Sequence, residues 1–227
     1  MCVIAIYRGK REDPENLKQM ETDNPDGTGV IYYKEGIPHY KKGLTMKEVL
    51  EINKTMEFPF AFHFRFVTVG KNKLLTHPYE VSTESPLKME GTAETLLMHN
   101  GHWGDWNDKL LDNAINSNKD LPNGDWSDSR AMAYLASAVG PNILKMLTGQ
   151  KIALFRKNGK ITLYGAGWEN EKEANYSNRN WEYKVNQKHY VSGAGYQQEE
   201  LGWKGTFRRG GTTYEWDDVR KEVKKLY

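Results

Sequence analysis

Apolar and polar positions along the chain predict a series of short strands. Residues 2–7 are almost wholly apolar, and residues 29–33 repeat that character after a turn-rich stretch, so we expect two paired strands. Residues 60–69 are rich in aromatic and β-branched side chains, which favour a strand. A shorter apolar run at 95–98 predicts a fourth strand.

Four other segments have the spacing of amphipathic helices. Asp13 and Thr45 precede the first two, and both side chains cap helix N-termini well. Glu48 lies three residues after Thr45 and completes a capping box with it. Ser127 or Asp128 is placed to cap the fourth helix. The predicted helices are residues 14–20, 46–54, 104–116 and 128–139.

The second half of the chain predicts a hairpin followed by a polar loop. Residues 151–156 and 160–164 have strand character and are joined through Asn158–Gly159, a pair that favours a tight hairpin turn. Residues 169–180 are polar and rich in Asn and Glu, which predicts a surface loop. The end of this loop, from residue 178, is placed to reach back toward a cleft.

Length and composition fit one domain with a substantial core, since 38% of the 227 residues are hydrophobic. We expect a single domain over residues 1–227, with a C-terminal extension from about residue 197 that ends in a short basic helix from about residue 215. Strands separated by paired helices, with a hairpin late in the chain, suit an α+β fold in which two sheets pack face to face between helices.

The distribution of charged side chains argues against two classes of partner. The chain has 32 basic and 30 acidic side chains mixed along its length, for a formal net charge of +2, so neither a nucleic acid nor an anionic membrane is expected as a partner. Arg8 follows the first apolar run too soon for a signal peptide or a membrane span. One cysteine leaves no intramolecular disulfide framework, which favours a cytoplasmic location.

That cysteine, Cys2, directly follows Met1. Methionine removal favours a small second residue, so we expect Cys2 to become the N-terminal residue. An N-terminal cysteine carries a nucleophilic thiol and a free α-amine that can take the thiol proton, directly or through one water. The alternative is that Cys2 is only a small apolar residue on a buried strand.

Unusual polar residues flank the predicted strands. Arg65 lies on a strand that is otherwise apolar, where its guanidinium needs a ligand carboxylate or a buried ion pair. Asn100–Gly101 follows another strand and is either a turn or an oxyanion hole, in which an amide and a glycine N–H point at one oxygen. Asp128 is either a helix cap or the partner of an ammonium group.

Metal and nucleotide sites are not indicated. His63, His77 and His99 lack the short spacing and the accompanying carboxylates of a zinc site. No glycine-rich phosphate loop follows a strand. We therefore expect neither a metal ion nor a cofactor.

Six segments in order resemble the class II glutamine amidotransferases, which are N-terminal nucleophile (Ntn) hydrolases that take ammonia from the side-chain amide of glutamine. Each segment alone is a weak signal, and the combination over residues 2–129 carries the resemblance. The segments are Cys2, Asp26–Gly27–Thr28–Gly29, the H-x-R-x-x-T-x-G strand from His63 to Gly70, Thr76–His77–Pro78, His99–Asn100–Gly101 and Asp128–Ser129.

The resemblance implies a four-layer αββα fold, in which two mostly antiparallel sheets lie between helices and the first strand presents its first residue at a cleft. It implies that Cys2 is the nucleophile, and that Asn100 and Gly101 bind the oxyanion. Arg65 would bind the α-carboxylate of glutamine and Asp128 its α-ammonium. The remaining implied substrate-binding residues are Val67, Thr68 and His77.

Three positions depart from the family pattern. Many members have Trp and His where this chain has Phe66 and Val69, and an acidic residue where it has Arg130. Members usually fuse this domain to a synthase or transferase that consumes the ammonia, so we expect the acceptor enzyme to be a separate chain. Two alternatives stay open: a hydrolase of another γ-glutamyl or simple amide, and an inert binding or regulatory subunit with aromatic surface around Trp103, Trp106 and Trp126.

Overall fold

The structure is a computed structural model that describes residues 2–67 and 72–182 and the backbone of three strands between residues 204 and 225. The chain forms two compact units, residues 1–186 and residues 187–227. The expectation of one domain with an extension from about residue 197 stays a prediction.

The first unit alternates strands and helices. Two short 3-10 helices, at Lys73–Leu75 and Pro141–Met146, supplement its regular elements. In chain order the elements are β1 (Val3–Tyr7), α1 (Pro14–Asp23), β2 (Thr28–Lys34), β3 (Ile37–Lys42), α2 (Met46–Thr55), β4 (Phe60–Phe64), β5 (Tyr79–Glu80), β6 (Glu90–Thr92), β7 (Thr95–Asn100), α3 (Trp106–Ser117), α4 (Asp128–Ala138), β8 (Lys151–Arg156), β9 (Lys160–Tyr164), β10 (Glu169–Glu171) and β11 (Ala174–Tyr176).

These strands form two antiparallel sheets. The larger sheet has the order β10-β11-β1-β4-β2-β3-β6, and the smaller has the order β5-β7-β8-β9. The predicted direct pairing of the first two strands is wrong, because β4 lies between β1 and β2 and pairs with both. Phe64 is opposite Val3 on one side and Thr28 on the other. The hairpin of β8 and β9 is confirmed.

Capping residues begin the helices where the sequence predicts them. The Asp13 side chain accepts from the N–H of Glu15, and Thr45 and Glu48 form the full capping box at α2. At α4 the side chain of Ser127 accepts from the N–H of Arg130, so Ser127 is the N-cap. Asp128 is the first helical residue and is left available for other contacts.

Apolar side chains divide the first unit into packed layers. One core lies between the larger sheet and α1 with α2, and includes Leu17, Val49 and Phe62. A second lies between the two sheets, where Ile4 packs in the same cluster as Leu96. The far face of the smaller sheet packs on α4, which also contacts α3. The first unit is therefore an α+β structure with two antiparallel sheets packed between helices.

Two strand predictions in the first unit need correction. β4 ends at Phe64, although a strand to residue 69 was expected, because Arg65 exchanges backbone hydrogen bonds with the turn at residues 26–27. The expected loop at 169–180 contains β10 and β11. β11 is short and lies within a polar stretch, but its Ala174 and Tyr176 are buried and its backbone pairs along the side of β1 that β4 does not occupy.

The second unit contains an antiparallel sheet in the order β12 (Lys204–Arg209), β13 (Thr212–Asp217), β14 (Glu222–Lys225). The expected basic helix from about residue 215 is wrong. Residues 212–216 are β-branched, aromatic or acidic in a strand-like alternation, and β13 pairs with β12 along residues 212–217 and with β14 along residues 214–217. Within the part of the chain that the structure describes, no helix has the length and apolar character needed to cross a membrane.

Candidate active site

A cavity of about 420 Å³ opens where β1, β4 and β7 reach the edge of the two sheets. Seven of the eight residues predicted for the site line this cavity, so segments up to 126 residues apart in the sequence meet at one place. They are Cys2, Arg65, Val67, His77, Asn100, Gly101 and Asp128. The eighth, Thr68, lies outside the described residues.

Cys2 is half-buried directly before β1. Its Sγ accepts from the N–H of Phe66 at 3.3 Å, and its carbonyl oxygen accepts from Nδ2 of Asn178 at 2.8 Å. Burial raises the pKa of the thiol, while the backbone of Phe66 and the charge of Arg65 act in the opposite direction. Because burial dominates, the thiol needs a base to become a nucleophile at neutral pH.

The glycine-bearing turn at residues 26–29 contacts two separate segments that line the cavity. A Cβ atom on Gly27, which has φ +136°, would lie 2.8 Å from Oγ1 of Thr76, and one on Gly29 would collide with the carbonyl oxygen of His77. The carboxylate of Asp26 accepts from the N–H of Val67 at 2.7 Å. The N–H of Val67 is therefore already paired within the protein.

Arg65 continues the line of β4 into the cavity and is 7% exposed. Its Nη1 donates to the carbonyl oxygen of Asn72 at 3.0 Å. The side chain of Asn72 in turn donates to Asp125 at 2.7 Å. The guanidinium is thus held in one orientation at the cavity wall.

Asn100 ends β7 and has its side-chain amide fixed from behind. Nδ2 of Asn100 donates to Oγ of Ser177 at 2.9 Å, and the same oxygen accepts from the N–H of Ile4 at 2.9 Å. An amide nitrogen carries two hydrogens, so one N–H of Asn100 is left for another acceptor. Gly101 follows with φ +153°. Both residues border the cavity, as an oxyanion hole requires.

Asp128 presents its carboxylate from the N-terminus of α4. Oδ1 accepts from the N–H of Ser129 at 2.7 Å, and Oδ2 accepts from the N–H of Trp103 at 3.2 Å. The side chain is 19% exposed. The carboxylate lies at the positive end of the helix dipole, and these two N–H groups fix its orientation. An anionic group suited to an ammonium ion therefore faces the cavity.

Three buried histidines form a cluster, and two of them, His77 and His99, line the cavity. The rings of His63 and His77 lie 3.9 Å apart, and Nε2 of His63 contacts the carbonyl oxygen of His99 at 3.1 Å. Burial lowers the pKa of His63 to about 3 and that of His77 well below its usual range. These rings are neutral at pH 7. No group of three or more His, Cys, Asp or Glu side chains in the described ranges is arranged to hold a metal ion.

Three further residues support the site, and sequence reasoning missed two of them. Ser177 and Asn178 hold Asn100 and Cys2, and Gln150 lies against Gly101. Residue 178 was expected to reach back toward a cleft, but Ser177 and Gln150 had no signal beyond being polar next to a strand. Only the pairing of β11 with β1 and of β8 with β7 brings them into place.

Of the three residues that depart from the family pattern, one borders the cavity, one does not, and one lies outside the described residues. Arg130 is 1% exposed and does not line the cavity; it donates to the carbonyl oxygens of Ser85, Asn123 and Asp125. Its guanidinium lies 4.1 Å from the ring centre of Trp126, which does line the cavity. Phe66 borders the cavity and is 46% exposed, whereas Val69 lies outside the described residues.

A scan against models of known protein families and a search of curated proteins both found no match to this chain.

Proposed function

We propose that the protein is a class II glutamine amidotransferase domain that hydrolyses the side-chain amide of glutamine to glutamate and ammonia. One observation carries the proposal. The only thiol of the chain borders the same cavity as a paired oxyanion donor, Asn100 with Gly101, and two opposite charges, Arg65 and Asp128. The order of helices, sheet, sheet and helices fits the αββα architecture of the Ntn hydrolases.

The two charges suit a free α-amino acid. The planar guanidinium of Arg65 binds a carboxylate through two parallel hydrogen bonds, and the carboxylate of Asp128 binds an ammonium group. A substrate held at both ends of its zwitterion directs its side chain toward the rest of the cavity, where Cys2 lies. Glutamine has its amide at the end of that side chain.

The proposal requires cleavage of the peptide bond that precedes Cys2. The freed α-amine then takes the thiol proton, which overcomes the raised pKa of the buried thiol. The thiolate forms a bond to the amide carbon, and the carbonyl π electrons move onto oxygen. The second N–H of Asn100 and the N–H of Gly101 donate to this oxyanion.

Collapse of the oxyanion breaks the C–N bond and leaves a thioester on Cys2. The protonated α-amine gives its proton to the departing nitrogen, so ammonia leaves as a neutral molecule. The amine then takes a proton from water, whose oxygen attacks the thioester. Loss of the thiolate releases glutamate and, with that proton, restores the thiol. The ammonia passes to a separate synthase or transferase in the cytoplasm.

Replacing the nucleophile tests the proposal. We expect Cys2→Ala to lower glutamine turnover by at least about 10³-fold, because no other group can form the thioester. The circular dichroism spectrum and melting temperature should stay close to those of the wild type, because the hydrogen bonds of Sγ within the described residues are with the backbone of Phe66. The measurement is the release of glutamate and ammonia in equal amounts.

The same assay separates the alternatives. A panel of glutamine, asparagine and γ-glutamyl amides should show a strong preference for free glutamine. Turnover of other amides at equal rates would point to a broader amide hydrolase, and a folded wild-type protein without turnover would point to a binding subunit. Retained activity in Cys2→Ala would contradict the nucleophile assignment.

A further inference from the structure

Gln150 lies beside the proposed oxyanion hole, although it has no role in the mechanism above. It directly precedes β8, and the ladder between β7 and β8 ends with Asn100 opposite Lys151. Gln150 therefore comes next to Gly101, one residue beyond the last pair. A Cβ atom on Gly101 would collide with Oε1 of Gln150, so the glycine leaves the room that this side chain fills.

The side-chain amide of Gln150 holds both sides of the Asn100–Gly101 turn. Oε1 accepts from Nε2 of His99 at 2.8 Å, and Nε2 of Gln150 donates to the carbonyl oxygen of His102 at 2.8 Å. The residues before and after the turn are thus fixed by one buried side chain, which is 8% exposed. Restraint at both ends limits the positions that the N–H of Gly101 can take.

The same contact sets the protonation pattern of His99. Because the amide nitrogen of Gln150 faces the carbonyl of His102, its oxygen must face His99, and Nε2 of His99 carries the proton. Nδ1 is then an acceptor for the hydroxyl of Ser129 at 2.9 Å, and this contact takes the single hydroxyl proton in preference to Oδ1 of Asp128, which lies 3.2 Å from the same Oγ. The backbone N–H of Ser129 binds Asp128. A hydrogen-bonded chain therefore links Gln150 to Asp128.

We propose that Gln150 is a positioning residue, which clamps the Asn100–Gly101 turn in the geometry that stabilises the oxyanion and fixes the Nε2-protonated tautomer of His99 beside Asp128. This inference rests on the proposed function. A neutral His99 leaves the charge of Asp128 to the ammonium group of the substrate. A protonated His99 would compete for that carboxylate, since its Nδ1 lies 3.9 Å from Oδ2 of Asp128.

The surroundings of His99 support the neutral form. Burial lowers its pKa, while the charge of Asp128 and the contact with Gln150 act in the opposite direction. Within the described residues, the other titratable side chains found around it are His102, His63 and His77, and none of these is a carboxylate. Gln150 supplies a neutral acceptor where a carboxylate would favour the imidazolium.

Two substitutions of Gln150 test the clamp. Gln150→Met keeps the volume and removes both hydrogen bonds, so we expect kcat to fall by about 10- to 100-fold with little change in KM. Gln150→Glu replaces the neutral acceptor by a carboxylate, so KM for glutamine should also rise. Active sites are counted by titration with a glutamine-analogue electrophile, so that kcat refers to folded, reactive enzyme. Gln19→Met, a buried glutamine on α1, should leave both constants unchanged.

Histidine side-chain ¹⁵N spectra give a readout that is independent of turnover. We expect neutral, Nε2-protonated His99 in the wild type at pH 7 and an imidazolium in Gln150→Glu. Unchanged kcat in Gln150→Met of an active enzyme would overturn the clamp and leave the glutaminase proposal standing. If the wild type has no glutaminase activity, the proposed function fails. Independently of activity, this inference is overturned if His99 has the same protonation state in the wild type and in Gln150→Glu.

Discussion

The space between the two sheets has an apolar region and a polar region on the same strands. Along β1 the residues facing this space are Ile6 and Ile4, and Cys2 follows with the same spacing of two. Along β7 the apolar Leu96 and Met98 are likewise followed by Asn100. One continuous strand pattern therefore changes from core to cavity within two residues.

The two regions differ in what their side chains do. In the apolar region, complete burial of hydrocarbon stabilises the fold. In the polar region, His63, His77 and Arg65 are buried at a cost in desolvation. Groups that reduce stability yet converge on one cavity are expected where a protein binds a ligand or does chemistry. Substitutions in the apolar region should therefore change mainly the free energy of unfolding, and substitutions in the polar region mainly kcat/KM for glutamine.

The largest effect on stability should come from the apolar region. Leu96 is completely buried between the sheets, so Leu96→Ala should lower the free energy of unfolding by about 2–5 kcal/mol. Urea denaturation measures this value. Leu111→Ala, at a 45% exposed position on α3, should change it by no more than about 0.5 kcal/mol. A small loss for Leu96→Ala would mean that the space between the sheets is not the main core.

In the polar region we expect Asp128→Asn to lower kcat/KM for glutamine by about 100-fold, which is about 2.7 kcal/mol, because the ammonium group loses its charged partner. Stability should change by no more than about 1 kcal/mol. Asp108→Asn, in the first turn of α3, is a matched control at a helix N-terminus and should leave kcat/KM unchanged. Equal kcat/KM in Asp128→Asn and the wild type would contradict the assigned role of Asp128.

The buried histidines predict a loss of stability in acid. Their pKa is lower in the folded protein, about 3 for His63, than the ordinary value near 6.5 in the unfolded chain. Their contribution to the free energy of unfolding is therefore complete above pH 6.5. It is lost as the pH falls from there toward their pKa in the folded protein. Each histidine should account for a loss of about 2 kcal/mol between pH 8 and pH 5.

His77→Phe should make the loss between pH 8 and pH 5 smaller by about 2 kcal/mol. No hydrogen-bond partner is found for either ring nitrogen of His77 within the described residues, so phenylalanine removes the titration and no hydrogen bond. Comparing the two pH values cancels any effect of the substitution that does not depend on pH. Urea midpoints with the same pH dependence in both proteins would show that His77 is not buried as described.

Local signals in the sequence predicted the local structure, and long-range pairing produced the rest. Asp13, Thr45 and the Asn158–Gly159 turn act within a few residues, so the helices and the hairpin that they begin or join were predictable. The position of β4 between β1 and β2 was not, because many orders satisfy the same apolar pattern. β11 is only three residues long, too short for its alternation to be recognised, and its pairing with β10 and β1 makes it a strand.

The residues of the candidate site also differ in whether the sequence alone could reveal them. Arg65, Asn100 and Asp128 were recognisable because each is a polar residue of a particular chemical type in a particular sequence context. Ser177 and Gln150 have no such context, since serine and glutamine occur on any protein surface. Their importance depends on contacts made over 77 residues to Asn100 and over 51 residues to His99.

The most direct test of the central claim is the mass of the protein after reaction with a glutamine-analogue electrophile. The account predicts one adduct, on the sulfur of Cys2, in a peptide whose first residue is Cys2 and whose α-amine is free. An excess of glutamine should slow the labelling, and Cys2→Ala should abolish it. An active enzyme that retains a residue before Cys2, or a label distributed without preference, would contradict the account.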